Sequence, residues 1–164
     1  VEMTVARAQS MPTHDEVTDA VVGASRALVG IAVRSLAATT EDLTMAQHRA
    51  LVVLSYQGEQ RVADLADNLG VNSSTVTRLI ARLSRKGFVE RVADATDGRA
   101  TLIAVSAVGR EVTATVRARR RDEIARVMRR MPHPAAPEVV AWLEAFTLAA
   151  GESAELSWSL GWTG

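Results

Sequence analysis

Between Asn72 and Lys86 the sequence runs NSSTVTRLIARLSRK, and its polar side chains are hydroxyls and bases with no acid among them. Those two types together suit a polyanion. A hydroxyl donates to phosphate oxygens or base edges, a guanidinium grips the two acceptors of guanine, and a helix start favours an anion. At about 3.6 residues per turn, Ser73, Ser74, Thr77, Arg78, Ala81, Arg82 and Arg85 share one face, with Thr75 beside it. Val76, Leu79, Ile80 and Leu83 share the other. The small side chains at the helix start would let it sink into a major groove. An ordinary solvated helix usually mixes charges of both signs on its outer face, and this one does not.

A second basic element follows. FVERV and TLIAV read as two short β-runs around ADATDGRA, where Asp97-Gly98 is a hairpin-turn signal. Arg91, Arg99 and that turn would make a basic tip beside the helix. An arginine at such a tip suits a narrow minor groove, where the negative potential is deepest. Asp97 lies two residues from Arg99 and is placed to hold its guanidinium.

These residues must be positioned by the elements around them. Val62 to Leu69 reads as a short amphipathic helix closed by Gly70, which suits a left-handed C-terminal position. Ala66 allows a close helix approach, Gly70 turns the chain, Asn72 caps the next helix, and Val76 and Leu79 pin it down. That is the spacing of a helix-turn-helix. Upstream, Thr13 and Glu16 form a capping box before a stripe of Val17, Val21, Ala24, Leu28 and Ile31, giving a helix over roughly 14–38. Thr44 caps a helix carrying Ala46, Ala50, Val53 and Leu54, which Gly58 ends. Downstream, Ser106 caps a helix over roughly 107–131 with Val108, Val112, Val116, Ile124, Val127, Met128 and Met131 expected inward. After the prolines at 132, 134 and 137, Val139, Leu143, Phe146 and Ala150 stripe a last helix.

The 164 residues are 48% hydrophobic and carry no net charge, but the charge is uneven. Residues 117–130 hold seven arginines against two acids, whereas the last 34 residues hold four glutamates and no base. Placement of the bases matters more than their total. A strongly basic overall composition, expected of a sequence-neutral architectural DNA binder, is missing. The chain has no cysteine, so thiolate zinc, disulfides and thiol redox sensing are excluded. His14, His48 and His133 lack metal-ligand spacing, and we expect no metal and no cofactor. No nucleophile elbow, phosphate loop or paired carboxylate is present, which argues against an enzyme. Neither a signal peptide nor an apolar run long enough for a bilayer is expected, so the expected compartment is the cytoplasm, with no membrane partner.

The stretch RVADLADNLGVNSSTVTRLIARLSRKGFVERVADATDGRATLIAVSAVGR resembles the winged-helix core of the MarR family of bacterial transcriptional regulators. DGR is similar to that family's Asp-x-Arg wing, and VSAVGR to its strand-to-helix junction. Ser73 stands where family members commonly have proline. The resemblance extends over roughly 13–150. It implies a mainly α fold, with a helical dimerisation lobe (13–40 and 106–150), a winged helix-turn-helix lobe (44–105) and a tail (151–164) that family pattern does not explain. It implies a homodimer on a pseudo-palindromic operator of double-stranded DNA. Ser74, Thr75, Thr77 and Arg78 would face the major groove, joined on the outward face by Ser73 and Arg82. Arg99 would enter the minor groove, positioned by Asp97 and accompanied by Arg91. A small aromatic or phenolic effector is implied by resemblance alone. His48 is a weak candidate for its cleft, a satisfied or exposed histidine being the plainer expectation. Trp158 and Trp162 are expected in the dimer lobe, and the arginines of 117–130 on an outer helix face paired with acids. Two alternatives remain: a winged helix that binds protein, and a DNA binder without ligand response.

Overall fold

The computed structural model describes residues 11–39, 42–94, 100–132 and 136–151. Asp97, Arg99, His133, Trp158 and Trp162, and with them the wing tip and the tail, lie outside the described residues. The order is α1 (His14–Ala37), α2 (Met45–Gln57), α3 (Val62–Leu69), α4 (Ser73–Arg85), β1 (Val89–Ala93), β2 (Thr101–Val105), α5 (Ala107–Met128) and α6 (Pro137–Ala149).

The helix starts follow from their caps. Thr13 and Glu16 form the expected capping box, and Thr44 forms a second one with Gln47. Ser106 Oγ accepts from the Gly109 amide at 3.0 Å. The strands pair antiparallel from Val89 opposite Val105 to Ala93 opposite Thr101. Gln60 adds an isolated bridge to Ile103, exchanging bonds of 3.1 and 2.8 Å, which ties the end of α2 to the hairpin. Gly109 lies so close to β1 that an added Cβ would fall 2.1 Å from the Phe88 carbonyl oxygen. Only a residue without a side chain lets α5 leave the hairpin there.

One core serves the middle of the chain. Leu51 and Leu54 of α2, Leu65 and Ala66 of α3, Val76, Ile80 and Leu83 of α4, Phe88, and Ile103 of β2 are almost fully buried. Burying each large side chain contributes about 1.5–3 kcal/mol, so α4 is held by its whole apolar face. Thr113 and Ser35 are buried, and each satisfies its hydroxyl on the carbonyl four residues back at 2.8 Å.

Outside this core the expected inward stripes are largely uncovered. On α5, Val116 is buried and Val112 and Ile124 are partly covered, but Val108, Val127 and Met128 are exposed. Met131, also exposed, lies beyond the helix, which stops at Met128 with Arg129 as its cap. Val139, Leu143 and Phe146 of α6 are exposed as well, and α6 buries no residue. Of the α1 stripe only Ile31 is buried. The physical reason is that a single chain offers these helices little to pack on beyond the contact of α1 with α5. There Arg34 and Glu123 form an ion pair at 3.0 Å, and Arg119 donates to the Ala38 carbonyl that ends α1. In that contact it is the acid of the basic run that pairs with a base of α1.

A further expectation is corrected. α1, 24 residues long with a mean hydropathy of 1.5 in its most apolar window, is long and apolar enough to cross a membrane by length and composition. Two arginines, Arg26 and Arg34, interrupt the run without lowering that average enough.

Candidate nucleic-acid interface

The turn between α3 and α4 is set locally. Gly70 adopts φ 65°, the left-handed conformation that closes α3, and the Val71 amide donates to the Ala66 carbonyl at 3.0 Å. Asn72 then caps α4. Its Oδ1 accepts from the Thr75 amide at 2.9 Å and from the Ser74 hydroxyl at 2.8 Å. Asn68 of α3 donates to Gln57 Oε1 at 2.6 Å and to Gln60 Oε1 at 2.9 Å, fixing the short helix to the end of α2. The pair of helices is thereby locked on both sides before anything binds.

From this frame Ser73, Ser74, Thr77, Arg78, Ala81, Arg82 and Arg85 all project into solvent. Thr75 is half-buried at the edge of the face. Thr77 Oγ1 donates back to the Ser73 carbonyl at 2.8 Å, so outward it offers an acceptor and a methyl group. Three arginines therefore stand at successive turns on a helix face that carries no acid of its own, while the opposite face of the same helix is core.

The hairpin leaves the end of α4 through Gly87, at φ 72°, and its base is fastened to the helix-turn-helix. Arg61, at the start of α3, pairs with Asp94 at 2.9 Å, just before the undescribed tip. Arg91 is exposed on β1 opposite Ile103. Arg91 thus shares the hairpin with α4's exit, while the places of Asp97 and Arg99 are not described. Sequence reading missed the Arg61–Asp94 pair, whose partners are 33 residues apart and carry no local signal.

His48 is neither exposed nor satisfied. Its Nε2 is buried with no hydrogen-bond partner among the described residues. Burial, and secondarily the charge of Arg120, push its pKa down to about 4. It is neutral at physiological pH and faces the seam of α2 and α5. A cleft of about 470 Å³ opens nearby in the chain between α1 and α2, lined by Val33, Leu36, Leu43 and Met45 with Thr39 and Asp42.

Comparison with known proteins bears on this arrangement. The MarR family model matches residues 43–101, the stretch from the start of α2 to the second strand. The solved structure of RV1404 from Mycobacterium tuberculosis is 38% identical, with a TM-score of 0.78 over 88% of this chain and 99% of that one. This chain belongs to the MarR family. A MarR family protein from Bacillus stearothermophilus, at 22% identity, shares the fold with a TM-score of 0.70 over 87% of this chain and 97% of that one. The HTH-type transcriptional regulator Mb0904 of Mycobacterium bovis is 34% identical over 86 residues, which are 52% of this chain and 60% of that protein. The match to such curated relatives thus spans 39% to 60% of their own length. The MarR family comprises DNA-binding transcriptional regulators with a winged helix, not enzymes.

Proposed function

We propose that this MarR family chain is a homodimeric, sequence-specific binder of double-stranded DNA. We further propose that it acts as a repressor leaving a pseudo-palindromic operator when a small aromatic or phenolic effector binds. The observation that carries the reading is the outer face of α4: hydroxyls at its start, arginines at 78, 82 and 85, no acid, and an opposite face fixed in the core. Ser73, Ser74, Thr75, Thr77 and Arg78 face base edges, Arg82 stands towards the groove wall, and Arg91, Arg99 and Asp97 serve the wing. The uncovered apolar faces of α1, α5 and α6 support a second copy, which would cover them and set the two α4 helices about one DNA turn apart. The Arg34–Glu123 pair ties α1 to α5, which favours a protein neighbour over a bilayer. For the effector, the α1–α2 cleft has the volume of a small-molecule site and sets Val33, Leu36, Leu43 and Met45 beside the polar Thr39 and Asp42. A chain acting this way works in the cytoplasm.

The test is fluorescence-anisotropy titration against the upstream intergenic duplex and a scrambled duplex at several salt concentrations. Tight, salt-dependent binding with a strong preference for the native duplex supports the reading. Failure to bind either duplex favours the second reading, a winged helix that engages protein.

A further inference from the structure

The basic stripe of α4 does not end at the surface expected to enter a groove. Its last turn borders a cavity of about 340 Å³ lined by Arg82, Arg85 and Lys86 on one side and by Asp42, Thr44 and Gln47 on the other. We propose that this cavity is a clamp for a DNA backbone phosphate, gripped by Arg85 and Lys86 together with Arg82. This rests on the DNA-binding reading above and adds a site to it.

Three observations converge. The first is reach. Ser74 and Arg85 are eleven residues apart, about 16 Å along a helix, whereas a major groove is about 12 Å wide. A helix entering by its serine-rich start must therefore carry its last turn past base edges to the phosphate wall. The second is charge. Among the described residues three cations line the cavity against one acid, and that acid holds its cation loosely. Lys86 Nζ donates to the Asp42 main-chain carbonyl, but the Asp42 carboxylate lies 3.9 Å away and is fully exposed. A pair of that kind contributes little, so the ammonium is available to a stronger anion. The third is the far wall. Thr44 and Gln47 close a capping box with bonds of 2.9 and 3.2 Å, and no acid stands in the first turn of α2. The positive end of that helix therefore adds to the cations instead of being neutralised locally.

Lys86 is the only lysine in the chain, so the clamp can be read chemically without substitution. The probe is a mixed-sequence duplex of about three helical turns at low salt. In wild-type protein, acetylation of Lys86 by an amine-reactive ester, followed by mass spectrometry, should slow several-fold when the duplex is added. In parallel, Arg85→Ala and Lys86→Met should each lower the slope of log affinity against log salt by about 0.9. Each should also weaken binding about eightfold at 0.1 M salt, equally on every sequence, and Lys86→Arg should restore both. Duplex binding with Lys86 still fully reactive and slopes unchanged overturns the clamp and leaves the α4 reading standing. Wild-type protein that binds no duplex at any salt overturns both.

Discussion

Burial of an unpartnered imidazole makes stability depend on pH in a calculable window. His48 has an ordinary pKa of 6.5 when unfolded and about 4 in the fold, because burial, then the Arg120 charge, disfavour its proton. For a base whose pKa is depressed on folding, the unfolded chain binds the proton more readily. Stability is therefore complete above pH 6.5 and is lost as pH falls towards 4. Between about pH 7.5 and about pH 5 the linkage relation gives a loss of about 2 kcal/mol, rising to about 3 kcal/mol once both states are protonated. At an m-value of 1–3 kcal/mol/M this moves the urea midpoint down by about 1 M. The assay is urea unfolding followed by circular dichroism at several pH values, at one protein concentration so that any self-association contributes equally. His48→Leu should remove most of the slope between those pH values, whatever it does to stability at pH 7.5. Glu16 does not obscure the result. Its carboxyl is held below 4.5 by the Thr13 amide and hydroxyl, so its contribution is lost only as pH falls through that lower range. If wild type and His48→Leu lose the same stability over the window, the imidazole is not buried as described.

Arg78→Ala should weaken operator binding by about 1–3 kcal/mol and relax preference at one base position if the side chain reads a base; anisotropy on single-base operator variants reads this, and equal loss on all sequences would make it a phosphate contact. Gly109→Ala should destabilise by about 3 kcal/mol, since its Cβ would meet the Phe88 carbonyl oxygen at 2.1 Å. Calorimetry should show a fall in Tm of roughly 10 °C, and an unchanged Tm would mean that α5 is free to move off β1. Leu143→Glu places a charge on the exposed apolar face of α6 and should shift sedimentation from dimer to monomer while leaving helix content unchanged. A variant that stays dimeric would remove α6 from the proposed interface.

The difference between what was and was not legible follows from the range of each interaction. Caps at Thr13, Thr44, Asn72 and Ser106 and the turn at Gly70 act over a few residues, so the sequence places the starts of α1 to α5 nearly to the residue, whereas α5 ends at Met128, short of the expected 131. The acid-free face of α4 was legible for the same reason, because helical period alone sorts Ser73, Thr77 and Arg78 from Val76 and Ile80. Periodicity says which residues form a stripe, but not what covers it. Val108, Val127 and Met128 are expected inward and lie open, since α1, α2 and β2 cover other parts of α5 and leave these side chains exposed. His48 shows the converse. Nothing in its own helix marks His48 out; its burial, and the charge of Arg120 about 70 residues away in sequence, come from the fold. Lys86 gains its meaning from Asp42 and Gln47 in the same way, across 44 and 39 positions. Chemistry carried by one helix face can be read directly from the sequence, whereas chemistry shared between faces needs the fold. The clamp at the end of α4 belongs to the second kind, which is why its decisive test is the reactivity of one amine in the folded chain and not any property of the sequence around it.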